Sequence, residues 1–190
     1  MDYALFQRAM ASKLDEDPEG QVARLEQLLA DFPESRLVVE ALFQASRTHI
    51  EEGALSEAED KLNTLIQSYS ATPRAKEALV ELCLVHVKQG EDDKVLSLWD
   101  NIRTNYGNDN VAADAYNIVE PLLIQRGLLD NLPPAVGLDG AEIEQRFFES
   151  ASYLALEDRC AEAIPRLSEY VRQYPGGTHM ADAQFYLANC

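Results

Sequence analysis

SRTHIEEG (residues 46–53), LVHVKQG (84–90) and EPLLIQRG (120–127) end alike. In each, a helical pattern runs into a glycine, and Gly53, Gly90 and Gly127 stand 37 residues apart. Glycine at the end of a helix lets the chain leave through a left-handed conformation that a Cβ would penalise. The same period recurs in Phe32, Tyr69 and Tyr106, and in a series of small residues, Ala9, Ser46 and Cys83. Ala151 and Ala188 are again 37 apart. One spacing shared by so many independent positions marks a chain built from repeats.

Inside each unit the apolar residues fall at helical intervals. Leu42, Ala45, Ser46 and His49 sit at i, i+3, i+4 and i+7, as do Leu79, Leu82, Cys83 and His86. The second half of each unit repeats the pattern with Ala58, Leu62, Leu65 and Ile66, then Val95, Trp99 and Ile102. A unit is therefore two antiparallel helices joined by a short turn. Asp17-Pro18 and Thr72-Pro73 each supply an N-cap followed by a first-turn proline. The pattern predicts helices near 2–14, 18–31, 35–52, 55–69, 73–89, 92–106, 109–126, 141–157, 159–173 and 178–190.

The array carries one irregularity. From Glu120 to Ala151, which hold the small-residue place in successive units, the spacing drops to 31. Between them LLDNLPPAVGLDG (128–140) holds Pro133-Pro134, Gly137 and Gly140, through which no long helix can run. The fourth unit has thus lost most of its second helix, leaving either a decayed repeat or a hinge or binding insertion. Pro121, following Glu120 inside a helix, predicts a kink and a change in superhelical direction. The expected organisation is repeats one to three and the first helix of repeat four over 1–127. A Pro/Gly-rich break follows over 128–140, then repeat five and the first helix of repeat six over 141–190.

Composition narrows the partners. Sixteen basic against thirty-three acidic residues leave a net charge of −17, which repels nucleic-acid phosphates and anionic membrane surfaces. No apolar run approaches the roughly 20 residues of a membrane span, and MDYALFQRAMASKLD lacks the continuous apolar stretch of a secretory leader. The cysteines, Cys83, Cys160 and Cys190, are odd in number and far apart. They suggest neither a disulfide framework nor a zinc-spaced cluster, and leave the redox compartment open.

Helix pairs with a small residue in the first helix, an alanine early in the second and Tyr-Pro at the end resemble tetratricopeptide repeats. The fifth unit, FFESASYLALEDRCAEAIPRLSEYVRQYP (147–175), carries Phe147, Ala151, Leu154, Ala163, Leu167, Tyr170 and Pro175 at matching places. Ser46 and Ala58 match in the second unit, Cys83 and Trp99 in the third. The resemblance spans nearly the whole chain. It departs from the family in its longer period, in the missing leading Trp of most units and in the incomplete fourth unit. It implies an all-α, right-handed superhelical solenoid of antiparallel helix pairs. The 37-residue period and the turns of QYPGGTHMADAQFYLANC (173–190) are similar to bacterial envelope members. Among these are the periplasmic protein associated with the Tol-Pal system and the outer-membrane-assembly lipoprotein. That likeness implies a periplasmic or outer-membrane-associated place in envelope assembly, with a cytoplasmic location left open.

Motifs for chemistry are absent. There is no phosphate-cradling loop, no Gly-x-Ser-x-Gly, no His-Glu-x-x-His and no Cys-x-x-Cys. No enzymatic activity, cofactor or metal is expected. Cys83 and His86 with His49 one repeat earlier could form a thiolate–imidazole site, or simply fill the apolar face between helices.

The resemblance points to the inner face of the superhelix, where such arrays hold peptides. Successive first helices place Phe6, Phe43, Val80, Asn117, Phe148 and Phe185 in one row. Beside it run Tyr3, Glu40, Glu77, Asp114, Arg146 and Asp182, and one turn on come Met10, Arg47, Leu84, Pro121, Ser152 and Asn189. Apolar rungs with an acidic rail suit a protein or peptide segment with apolar anchors and basic residues. The same phenylalanines could instead pack between helices. The candidate groove is Phe6, Glu40, Phe43, Arg47, Glu77, Val80, Asp114, Asn117, Phe148 and Phe185. Arg47 and Asn117 are too few for the family's carboxylate clamp. Helix 178–190 repeats a first helix and is not a polar cap, which reads as a segment of a longer protein. The expected function is a non-catalytic interaction scaffold. The alternative is a regulatory or spacer arm of a longer enzyme or sensor.

Overall fold

A computed structural model of the chain describes residues 1–126, 128–129 and 132–190. Gly127, the third member of the glycine series, lies outside the described residues, as do Asp130 and Asn131 of the break. The described residues form ten α-helices and a single 3-10 turn, with no strand. In order they are α1 (Asp2–Leu14), α2 (Pro18–Asp31), α3 (Val38–Glu51), α4 (Leu55–Ser68), α5 (Pro73–Gln89), α6 (Asp92–Asn105) and α7 (Asn110–Arg126). The 3-10 turn Pro134–Val136 precedes α8 (Gly140–Leu156), α9 (Cys160–Gln173) and α10 (Met180–Asn189).

The helix ends follow the sequence signals atom by atom. Asp17 accepts from the Gly20 amide at 2.9 Å and Thr72 from the Ala75 amide at 3.3 Å, the two predicted N-caps. Gly53 and Gly90 take φ of 76° and 72°. Just after each, an amide donates to a carbonyl five residues back, Ala54 to His49 at 2.8 Å and Glu91 to His86 at 3.0 Å. The same bond recurs at Asp17 to Ser12, Leu128 to Leu123 and Arg159 to Leu154. In two of these turns the left-handed residue is not glycine: Glu16 has φ 54° and Asp158 φ 56°. The aromatic series closes the opposite turns. The Phe32, Tyr69 and Tyr106 carbonyls each accept from the amide three residues on, and Tyr174 does the same.

The chain divides into two compact units, Met1–Leu98 and Trp99–Cys190. The division falls within α6 and not in the break at 128–140. In the first unit α1 packs on α2, α2 on α3, α3 on α4 and α4 on α5, with α3 also touching α5. Leu25, Leu28, Leu62 and Leu65 are completely buried there, each stabilising the unit by about 1.5–3 kcal/mol. Ala9, Ser46 and Cys83 are equally buried, because a small residue lets neighbouring helices approach closely. Ser46 satisfies its hydroxyl on the Phe43 carbonyl at 2.8 Å.

In the second unit α8 packs on α7 and α9, and α10 on α8 and α9. The core is Phe147, Ala151, Leu154, Ala163, Leu167, Tyr170 and Ala183, with Trp99 against Tyr116 at 6.0 Å. α7 runs through Pro121 to Arg126. Among the described residues of the break Leu129 and Pro133 are buried, and the Ala135 amide donates to the Gly107 carbonyl at 3.0 Å. Asp139 and Glu142 then close a capping box that starts α8.

Two expectations are corrected. Ala188 is exposed, unlike the other small residues of its series, because α10 meets its neighbours through Ala183, Tyr186 and Leu187. The cysteines do pair: Cys160 and Cys190 form a disulfide with their Cα atoms 5.2 Å apart. Thirty residues separate them in sequence, but the start of α9 lies beside the far end of α10.

Candidate functional site

The first helices of the pairs carry the ten candidate residues, and the two units treat them differently. In the first unit Phe6 is half-buried against the core and Phe43 is buried. The Arg74 guanidinium lies 4.5 Å over the Phe43 ring. Its Nε donates to Glu40 Oε2 at 2.8 Å and its Nη2 to Glu40 Oε1 at 3.1 Å, while Nη1 also reaches Glu77. Gln44 adds a donor to Glu40 at 2.8 Å. Burial alone would raise the Glu40 pKa, but the hydrogen bonds from Arg74 and Gln44 hold it below the usual carboxylate value. Phe43 is therefore a covered ring rather than an open rung, and the rail at Glu40 and Glu77 has a resident counter-ion.

Further along this unit Arg47 stands 3.7 Å from Glu81. Burial pushes the Glu81 carboxyl up; Arg47 opposes the shift, and Glu51 and Glu77 add to it. Val80 is half-buried.

The second unit presents a more open face. Asp114 and Asn117 are exposed on α7. Phe148 on α8 is half-buried and stacks on the His179 ring at 4.4 Å, with 4° between planes. Beyond it Phe185 on α10 is 64% exposed, its edge against Tyr186 at 5.8 Å. Asp182, two-thirds exposed, lies 3.8 Å from His179 Nδ1. The rings and the carboxylate make an apolar ledge with an exposed acidic edge. Arg146, placed on the rail by its sequence position, instead holds Glu120 at 3.0 Å and Glu149 at 3.6 Å. Tyr116 also donates to Glu120 at 2.9 Å, which accounts for a glutamate where other units carry a small residue. Burial, then the neighbouring Glu120, push the Tyr116 phenol upward.

The thiolate–imidazole pairing is not formed. Cys83 is buried and its thiol is pushed up to about 12 by that burial, so it stays protonated. His86 directs Nδ1 to Gln89 at 3.2 Å and Glu91 at 3.1 Å. Glu59 joins His86 and Glu91 in one cluster. The Lys94 ammonium already bridges its carboxylates, at 3.2 Å from Glu59 and 2.9 Å from Glu91.

Sequence reasoning missed Arg74, His179 and the cysteine pair. Arg74 meets Glu40 across 34 residues, close to one repeat, so a search for opposite charges near the repeat period would have found it. No helix among the described residues is long and apolar enough to cross a membrane.

No protein-family model matches the chain, and no curated protein sequence matches it. Its fold is similar to solved structures. One is a tetratricopeptide repeat protein from Parabacteroides merdae, at TM-score 0.61 and 14% identity, covering 98% of this chain and 73% of that one. Another is a thermophilic TPR protein of Thermus thermophilus, at TM-score 0.51 and 16% identity, covering 100% of this chain and 98% of that one. At such identities the likeness concerns the fold alone: the chain folds as tetratricopeptide-type helical repeats.

Proposed function

We propose that this chain is a non-catalytic interaction scaffold of the bacterial envelope. It holds a partner segment with apolar anchors among basic residues. The observation that carries the reading is the ledge of the second unit, where Phe185 stands 64% exposed and meets, through Tyr186, the Phe148–His179 stack, with Asp182 two-thirds exposed on the same helix. An exposed aromatic side chain next to a largely exposed carboxylate suits an apolar anchor flanked by lysine or arginine. The net charge of −17 favours the same partners over acidic ones. In the first unit the corresponding positions are engaged by Arg74 and Arg47, so the partner's weight falls on the second. The Cys160–Cys190 disulfide supports an oxidising compartment such as the periplasm. Both structural neighbours come from bacteria.

The test uses a Phe185→Ser/Asp182→Lys variant, both changes lying on exposed side chains, with folding checked by circular dichroism. Wild type carrying a photo-reactive group next to position 185 is cross-linked in fractionated source cells. The expected outcome is one envelope protein whose cross-linked segment carries apolar and basic residues, and whose synthetic peptide binds the variant at least tenfold more weakly. Equal binding of that peptide to both proteins would overturn the assignment.

A further inference from the structure

We propose that the Cys160–Cys190 disulfide is a redox latch: it holds the C-terminal half of α10 in place and thereby sets the affinity of the α8–α10 ledge for its partner. The second half of this statement rests on the docking reading above; the first does not.

α10 is pinned at two places. At its beginning, Tyr170 donates to Glu144 Oε1 at 2.7 Å. That oxygen accepts from the Thr178 amide at 2.7 Å, and the Tyr170 oxygen accepts from the His179 amide at 3.2 Å. The Phe148–His179 stack adds an aromatic clamp at the same end. Gly177 makes the approach possible, since a Cβ there would come within 2.5 Å of Glu144 Oε1 and 2.7 Å of the Tyr170 oxygen. At the other end Cys190 is tied to Cys160 at the start of α9.

Between the pins the packing is thin. Of the ten residues of α10 only Ala183 is fully buried, while Tyr186 and Leu187 are half-buried and Phe185 faces out. Its C-terminal half is held by the contacts of Tyr186 and Leu187 and by the bond to Cys160, and that half presents Phe185. Both cysteines are half-buried rather than sealed in the core. Cys83, buried and protonated in the other unit, offers no competing thiolate.

The chemistry is thiol–disulfide exchange with a dithiol reductant. One thiolate of the reductant attacks a sulfur of the pair, forming a mixed disulfide and releasing the other cysteine as a thiol. The second reductant thiol then displaces the remaining cysteine. Two electrons and two protons pass to Cys160 and Cys190, and the reductant leaves as a disulfide.

The experiment is hydrogen exchange on the oxidised protein, the same protein reduced with a dithiol, and the Cys160→Ser/Cys190→Ser variant. Binding of a synthetic peptide of alternating leucine and lysine is measured on each form. On losing the bond, amides 184–189 are expected to lose protection by about tenfold or more, those of α8 and α9 to keep theirs, and the peptide to bind about tenfold more weakly. Unchanged protection at 184–189 overturns the latch. Protection lost throughout α8 and α9 overturns it too, because the bond would then hold the unit together rather than one helix. If 184–189 loosen but the peptide binds all forms equally, the control of affinity is wrong. If they loosen and the peptide binds no form, the latch stands and the docking reading falls.

Discussion

Glu16 and Asp158 adopt left-handed backbone at turns where the second and third units carry Gly53 and Gly90. The demand comes from the helix-end geometry, in which the next amide must reach a carbonyl five residues back. A side chain meets that demand at a steric cost of roughly 1–2 kcal/mol, partly offset by the entropy that glycine loses on folding. Glu16→Gly and Asp158→Gly should therefore each stabilise the protein by about 0.5–1 kcal/mol. Gly53→Ala should destabilise it by about 1 kcal/mol, although no atom lies within 4 Å of the added carbon. Urea unfolding of the three variants checks this, and a stabilising Gly53→Ala would refute the argument. Arg74 shows the same scale acting on the site. One guanidinium covers Phe43 and serves two carboxylates, so at Phe43, of the two readings open from the spacing, an exposed rung or a ring packed between helices, the structure has the covered ring.

At the scale of the element, the segment after α7 buries two side chains without forming a long helix. No long helix can pass Pro133-Pro134, yet Leu129 is 2% exposed and Pro133 is buried. Its described residues bury these two side chains, and the Ala135 amide ties the segment to the Gly107 carbonyl. Leu129→Ala should therefore cost about 2–4 kcal/mol, as in a helical core, rather than the few tenths expected in a solvated linker. Chemical denaturation followed by the fluorescence of Trp99, the sole tryptophan, which sits in this unit beside Tyr116, reads it directly. A change below about 0.5 kcal/mol would show that the segment is a loose tether. α10 is the converse case, a regular helix whose hold on its neighbours is light between two anchors.

For the whole molecule the dominant quantity is charge. A net −17 on 190 residues produces a field that reaches farther in dilute salt, where the screening length is about 30 Å at 0.01 M, than at 0.15 M, where it is about 8 Å. Association of a basic peptide should slow by about tenfold across that range, while its dissociation rate changes much less. Stopped-flow binding of the alternating leucine–lysine peptide measures both rates. A salt-independent association rate would mean that the field plays no part in capture.

The repeats, their helices and their turns are legible in the amino-acid sequence because they obey local rules. Apolar residues at helical intervals define each buried stripe, Asp17 and Thr72 cap the helices that start beside them, and Gly53 and Gly90 take the backbone that ends a helix. The same rules place the candidate residues on the first helices. Which of those residues remain open is a property of the folded chain alone. Arg74 reaches Glu40, Thr178 reaches Glu144 and Cys160 bonds Cys190 across separations of 34, 34 and 30 residues, beyond the reach of local rules. Such contacts arise when stacking brings side chains of successive helices within a few ångströms. Local periodicity says which face a residue occupies, but the neighbouring helix determines whether that residue is covered, neutralised or left free.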